Sequence, residues 1–191
     1  LIPLPDGLRL PRAKPDDVVL PPEVLRQLAA LAERFNVRAC AGRDLTPPAE
    51  TVFLFGPSGT GKSLAAEAFA AALGRPIVDI TEARLAASAL DSEAQLERLF
   101  LLARRHGAVV LFDDCERLFS HRLAGNGRLT ALLGQIERFG GIVILTTNLV
   151  DAMDEAVDRH ILHKIAVDIP PVPLRRLLWQ RLIPPGCTTA P

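Results

Sequence analysis

Short, largely apolar runs alternate along this chain with stretches whose apolar residues recur every three or four positions. The runs are Thr51-Val52-Phe53-Leu54-Phe55, Ile77-Val78-Asp79-Ile80, Ala108-Val109-Val110-Leu111-Phe112 and Ile142-Val143-Ile144-Leu145, with Lys164-Ile165-Ala166-Val167 as a last strand. Runs apolar on both faces predict strands buried in a parallel sheet. Helical spacing places Leu25, Leu28, Ala29, Ala32 and Phe35 on one face of a helix opened by Pro21-Pro22. It does the same for Leu64, Ala65, Ala68, Phe69 and Ala72, and for Leu96, Leu99, Phe100 and Ala103 behind a capping box of Ser92 and Gln95. Leu129, Leu132, Leu133, Ile136 and Phe139 point inward from a fourth helix, and Leu174–Leu182 is helical near the end. Strands alternating with helices predict an α/β fold: an open parallel sheet with helices on both faces and ligands at the C-terminal strand ends.

Prolines at 3, 5, 11 and 15 make residues 1–20 an extended lead-in rather than a folded unit. Residues 21–183 form the core and 184–191 a flexible tail. Within the core, 36–50 reads as a loop ending in Pro47-Pro48, and a short helical turn is expected around Asp154–Arg159.

The candidate chemistry sits where runs meet helices. Gly56-Pro57-Ser58-Gly59-Thr60-Gly61-Lys62-Ser63 joins the first strand to the helix continuing through Leu64, the context a phosphate-binding P-loop requires. Gly56, Gly59 and Gly61 let the backbone turn tightly and bring N–H groups against an anion. The helix start adds its positive dipole end. Lys62 supplies a point charge for the outer phosphates, and the Ser63 hydroxyl is a Mg²⁺ ligand. Asp113 follows a buried strand, where its carboxylate would hold Mg²⁺, and Asp114 is placed to orient or deprotonate an attacking water. The competing reading is that Asp-Asp only begins a loop or caps a turn. Thr146-Thr147-Asn148 ends the next strand, where the Asn148 amide would reach both the γ-phosphate and the water, although Asn ends many strands. Arg159, beside His160, is either an arginine aimed at a neighbour's phosphate or a solvated surface residue.

Bulk properties narrow the function classes. The 191 residues are 49% apolar and 23% charged, which suits one domain with a sizeable core and not a disordered chain. Lysine plus arginine equals aspartate plus glutamate at 22 each, and this neutrality argues against non-specific nucleic-acid or membrane-surface binding. No apolar stretch approaches the roughly 18 residues of a membrane span, and no secretory signal is evident. Cys40, Cys115 and Cys187 lack metal-ligand spacing and read as reduced thiols of a cytoplasmic protein. Leu1 in place of Met suggests a piece of something longer.

Taken in order, Gly56–Ser63, Val109–Asp114, Asn148 and Arg159 resemble the AAA+ ATPase core, of the bacterial protein-remodelling type, over roughly residues 17–183. Phe112-Asp113-Asp114-Cys115-Glu116 looks like the Phe-Asp-Glu-Ala-Asp run common in that family, and Met153–Arg159 like the segment leading to its arginine finger. The resemblance implies a three-layer sheet of five strands in order 5-1-4-3-2. It also implies ATP with Mg²⁺ bound between subunits of a homo-oligomer, usually a hexameric ring that remodels a protein client. The catalytic group would be Lys62, Asp114, Asn148 and Arg159, the metal side Ser63 and Asp113, and the nucleotide cradle Gly56 through Leu64.

Three departures bear on activity. Asp114 stands where the family has a glutamate, so the rate of hydrolysis is in question. Ala86-Ala87-Ser88-Ala89-Leu90 occupies the position of an aromatic pore loop, and the chain has no tyrosine. The residues after Leu182 leave no room for the family's helical lid, so that lid is expected either outside this piece or not at all, with the site left open. An ATPase that remodels a protein therefore competes with a nucleotide-gated scaffold of slow turnover. A nucleic-acid loader is a third reading, disfavoured by neutral charge.

Overall fold

The computed structural model describes residues 4–40, 49–81, 84–85, 92–115, 127–148, 159–184 and 187. The strands are β1 (Leu8–Arg9), β2 (Glu50–Phe55), β3 (Ile77–Asp79), β4 (Val109–Phe112), β5 (Ile142–Thr147) and β6 (His163–Ala166). The helices are α1 (Pro22–Cys40), α2 (Lys62–Ala72), α3 (Ser92–His106), α4 (Gly127–Phe139) and α5 (Val172–Leu182), with a 3-10 turn at Pro15–Asp17. One sheet runs β1-β3-β4-β5-β2-β6. Every neighbouring pair is parallel except β1 with β3. Without β1, and with the rest numbered from β2, this is the 5-1-4-3-2 order that the resemblance implies.

Alternation along each strand divides the core into two clusters, one per face. Val109 and Leu111 of β4, Ile142 and Ile144 of β5, and Val52 and Leu54 of β2 meet α1 and α2 through Leu28, Phe35, Ala65 and Phe69. Val110, Phe112, Val143, Leu145 and Phe53 face the other way, onto α3 and α4 through Leu99, Phe100, Ile136 and Phe139. That is the three-layer arrangement. Most of these strand side chains are essentially sealed from solvent, and each contributes roughly 1.5–3 kcal/mol by leaving water.

The proline-spaced start of the chain is more than an extended lead-in. Leu8 and Arg9 pair antiparallel with Val78 and Ile77, and Val18, Val19 and Leu20 are buried. Leu8 joins one core cluster and Leu20 the other, so apolar residues between the prolines bind the segment along the sheet. The Arg9 guanidinium fixes its edge, hydrogen-bonding Asp79 and pairing with Glu67 of α2 at 2.7 Å. The Arg12 N–H donates to the same Glu67 at 2.6 Å.

Two smaller expectations also change. Helix α1 runs on to Cys40, so residues 36–40 of the expected loop are helical, following the packed Phe35. Leu64 is 43% exposed rather than inward, because Ala65, Ala66 and Phe69 already fill the buried side of α2. The Asp154–Arg159 turn as far as residue 158, the Ala86–Leu90 segment and the side chains of Ser92 and Leu129 lie outside the described residues.

Candidate nucleotide site

Strand register assembles the site. Phe55 pairs with Thr147 and Phe112 with Leu145, so β2, β4 and β5 end at one edge of the sheet. The P-loop, the acidic pair and the Thr-Thr-Asn run leave that edge together.

Gly56 turns the chain out of β2 at φ +143°, where a Cβ would lie 2.3 Å from the Val167 carbonyl oxygen. Only glycine fits so close to a neighbouring backbone. Gly61 caps α2 in the left-handed region at φ +97°, and the first helical hydrogen bond runs from Ala65 N to Gly61 O at 2.8 Å. The first-turn N–H groups of α2 therefore point out of its N-terminus, toward the place where an anion would sit. Thr60 is buried, and its hydroxyl pins the loop by donating to the Pro57 carbonyl at 2.9 Å. Pro57, Ser58 and Gly59 are exposed along the rim.

Lys62 is 5% exposed. Its ammonium donates to the carbonyls of Gly56 at 2.9 Å and Pro57 at 2.8 Å and to Asn148 Oδ1 at 2.7 Å. The Asn148 amide also donates from Nδ2 to Asp114 Oδ1 at 3.0 Å. At the neighbouring positions, Ser63 Oγ donates to Asp113 Oδ1 at 2.8 Å. Five of the expected residues are thus brought together, as a chain of three, Lys62–Asn148–Asp114, and a pair, Ser63–Asp113.

Sequence reasoning did not assign Thr146 to the site. Its hydroxyl donates to Asp113 Oδ1 at 2.6 Å and accepts from the Asp114 N–H at 2.9 Å. The available signal was a hydroxyl at the end of an otherwise apolar strand, here fully buried.

Arg159 stands apart. The Leu162 N–H donates to Thr51 Oγ1 at 3.0 Å, the same hydroxyl donates to the His160 carbonyl, and Val52 pairs with His163. The chain around Arg159 therefore lies beside the start of β2, whereas the P-loop follows its end. The four residue steps from Thr51 to Phe55 separate these points by roughly 13 Å along the strand. Arg159 is exposed there.

Hydroxyl and carboxylate oxygens are hard donors suited to Mg²⁺, which commonly takes one or two carboxylates and completes its shell with phosphate and water. Among the described residues no cluster of three or more His, Cys, Asp or Glu forms a metal cage. Ser63 and Asp113 fit a Mg²⁺ shared with a nucleotide.

The family model of the ATPase family associated with various cellular activities (AAA) matches residues 52–169, more than half of the chain. This protein belongs to the AAA ATPase family. The cofactors of the family are ATP and Mg²⁺. Spastin of Drosophila mojavensis is 31% identical over 153 residues, covering 73% of this chain and 20% of that protein. Fidgetin-like protein 1 of Drosophila melanogaster is 30% identical over 149 residues, covering 71% of this chain and 28% of that protein. The AAA chain thus spans between a fifth and under a third of these curated relatives. Both are fly proteins, and neither supports the bacterial type expected from the motifs.

Solved AAA structures share the fold. The FIGL-1 AAA domain superimposes with a TM-score of 0.78 at 22% identity, covering 93% of this chain and 62% of that one. Its complex with ADP gives 0.77, also at 22% identity, over 93% and 63%. A structure concerned with katanin self-assembly gives 0.74 at 22% identity over 92% and 61%. No helix among the described residues is long and apolar enough to cross a membrane.

Proposed function

We propose that this chain binds and hydrolyses ATP with Mg²⁺ and couples its nucleotide state to the remodelling of a protein partner, from a cytoplasmic homo-oligomer. The observation carrying this reading is the 2.8 Å contact between Ser63 Oγ and Asp113 Oδ1. It joins the P-loop to the acidic strand tip, two parts 50 positions apart in sequence that a merely structural glycine turn has no reason to unite.

The backbone from Gly56 to Leu64 cradles the triphosphate, and the Lys62 ammonium neutralises its outer oxygens. Mg²⁺, when bound, supplies charge neutralisation at the transferred phosphoryl group, with Ser63 and Asp113 as its protein ligands. Asp114 accepts the proton of the attacking water, and Asn148 sets the direction of that carboxylate through its Nδ2 hydrogen bond. Arg159 lies at the far end of β2, so it serves the phosphate of another copy. That makes the site intersubunit and favours a ring, hexameric as is usual in the family.

A slow-turnover scaffold is the second reading. Asp114 lacks one methylene of glutamate, its hydrogen bond to Asn148 restrains the carboxylate, and its backbone sits at φ +53°.

Steady-state ATP hydrolysis measured against protein concentration separates the two. A turnover per chain that climbs steeply with concentration is the expected result. Constant turnover per chain contradicts an intersubunit site, and no turnover despite ATP binding establishes the scaffold.

A further inference from the structure

We propose that Thr146 is a positioning residue for the metal side of the site, setting the Asp113 carboxylate and the turn at Asp114 through one hydroxyl. This rests on the nucleotide reading above and deepens it.

Thr146 holds three consecutive positions. Oγ1 donates to Asp113 Oδ1 at 2.6 Å and accepts from Asp114 N at 2.9 Å, while its backbone carbonyl accepts from Cys115 N at 2.9 Å. A hydroxyl has a single proton and two lone pairs. With the proton given to a carboxylate, the Asp114 N–H is matched to a lone pair, so both contacts form together. Asp114 is the one non-glycine among the described residues at positive φ, +53°, and the bond to its N–H helps hold that conformation.

The consequence falls on Asp113. Its Oδ1 accepts from both Ser63 Oγ and Thr146 Oγ1, and neither hydroxyl bonds Oδ2. Two donors converging on one oxygen fix the roll of the carboxylate about its Cβ–Cγ bond. The second oxygen is then held in one direction before any cation arrives, as expected of groups that orient metal ligands. Ser63 alone cannot do this, because it is itself a metal-ligand candidate and exposed. Thr146 is sealed at 0% exposure and keeps its partner whatever binds beside Ser63.

The test is the Mg²⁺ dependence of binding of a fluorescent ATP analogue to the full chain. Thr146→Val keeps the shape and removes both hydroxyl bonds, whereas Thr146→Ser keeps the hydroxyl. The Mg²⁺ concentration at half-effect should rise on the order of tenfold in Thr146→Val, with binding in EDTA unchanged within about twofold, and should return to the wild-type value in Thr146→Ser. An unshifted midpoint in Thr146→Val overturns the proposal, as does a Thr146→Ser protein that behaves like the valine variant. Should circular dichroism show Thr146→Val unfolded, Thr146→Ala is read in the same titration by the same criteria. Failure of the nucleotide reading looks different: the wild-type chain would not bind the analogue with or without Mg²⁺, and the proposal would fall with it.

Discussion

The Asn148 side chain joins the cation of the P-loop to the second acid after β4. Its Oδ1 accepts from Lys62 Nζ at 2.7 Å, and its Nδ2 donates to Asp114 Oδ1 at 3.0 Å. One amide therefore touches both the P-loop cation and the acid proposed to handle water. It is placed to report a change in one to the other.

Lys62→Ala removes the buried ammonium and with it the charge-assisted bonds proposed to phosphate. Nucleotide affinity should fall roughly 100-fold or more by isothermal titration, in a protein that retains wild-type circular dichroism. Unchanged affinity would remove the P-loop assignment.

Gly56→Ala tests the close approach of two backbones. The added Cβ would meet the Val167 carbonyl oxygen at 2.3 Å, in a φ range that side chains rarely adopt. A loss of roughly 2–3 kcal/mol in urea unfolding is expected, along with weakened nucleotide binding. A variant as stable as wild type would show that the loop relaxes freely.

Asp114→Glu restores the length of the family's usual base. Turnover should rise about tenfold or more in the assembled protein, since misplacement near 1 Å can cost roughly 100-fold. Left-handed backbone suits aspartate better than glutamate, so the same variant should unfold slightly earlier in a thermal scan. If turnover does not rise, the shortened side chain is not what limits the rate.

Glu67 makes the attachment of the lead-in strand sensitive to acid. Burial alone would raise its carboxyl, but hydrogen bonds from the Arg9 guanidinium and the Arg12 N–H outweigh this and hold it below its ordinary value. A depressed folded-state pKa contributes stability above the unfolded value of 4.5, and that contribution is lost as the pH falls through the folded one. Glu67→Gln should therefore lower the urea midpoint at neutral pH, and the gap to wild type should close below about pH 4.5. A gap constant down to pH 3 would exclude this linkage.

How much of this was legible in advance divides by range. Gly56, Gly59 and Gly61 declare their roles within eight residues, because glycine conformations and helix starts depend on immediate neighbours. Strands such as Val109–Phe112 were readable for the same reason: a run apolar on both faces can satisfy itself only inside a sheet. Thr146 was not readable as a site residue. Its contact with Asp113 spans 33 positions and exists because β5 lies beside β4 in a set register.

From the order of its residues alone, then, this chain determined a glycine turn of P-loop pattern, its alternating strands and helices, and acids at a strand tip, since each is a short-range property of the backbone. Only the tertiary structure decided that Thr146 grips Asp113, that Asn148 spans Lys62 and Asp114, that Leu8–Arg9 closes the sheet edge, and that Arg159 sits away from its own P-loop. Those outcomes depend on which strands become neighbours, and that choice is made by burying both faces of the sheet at once.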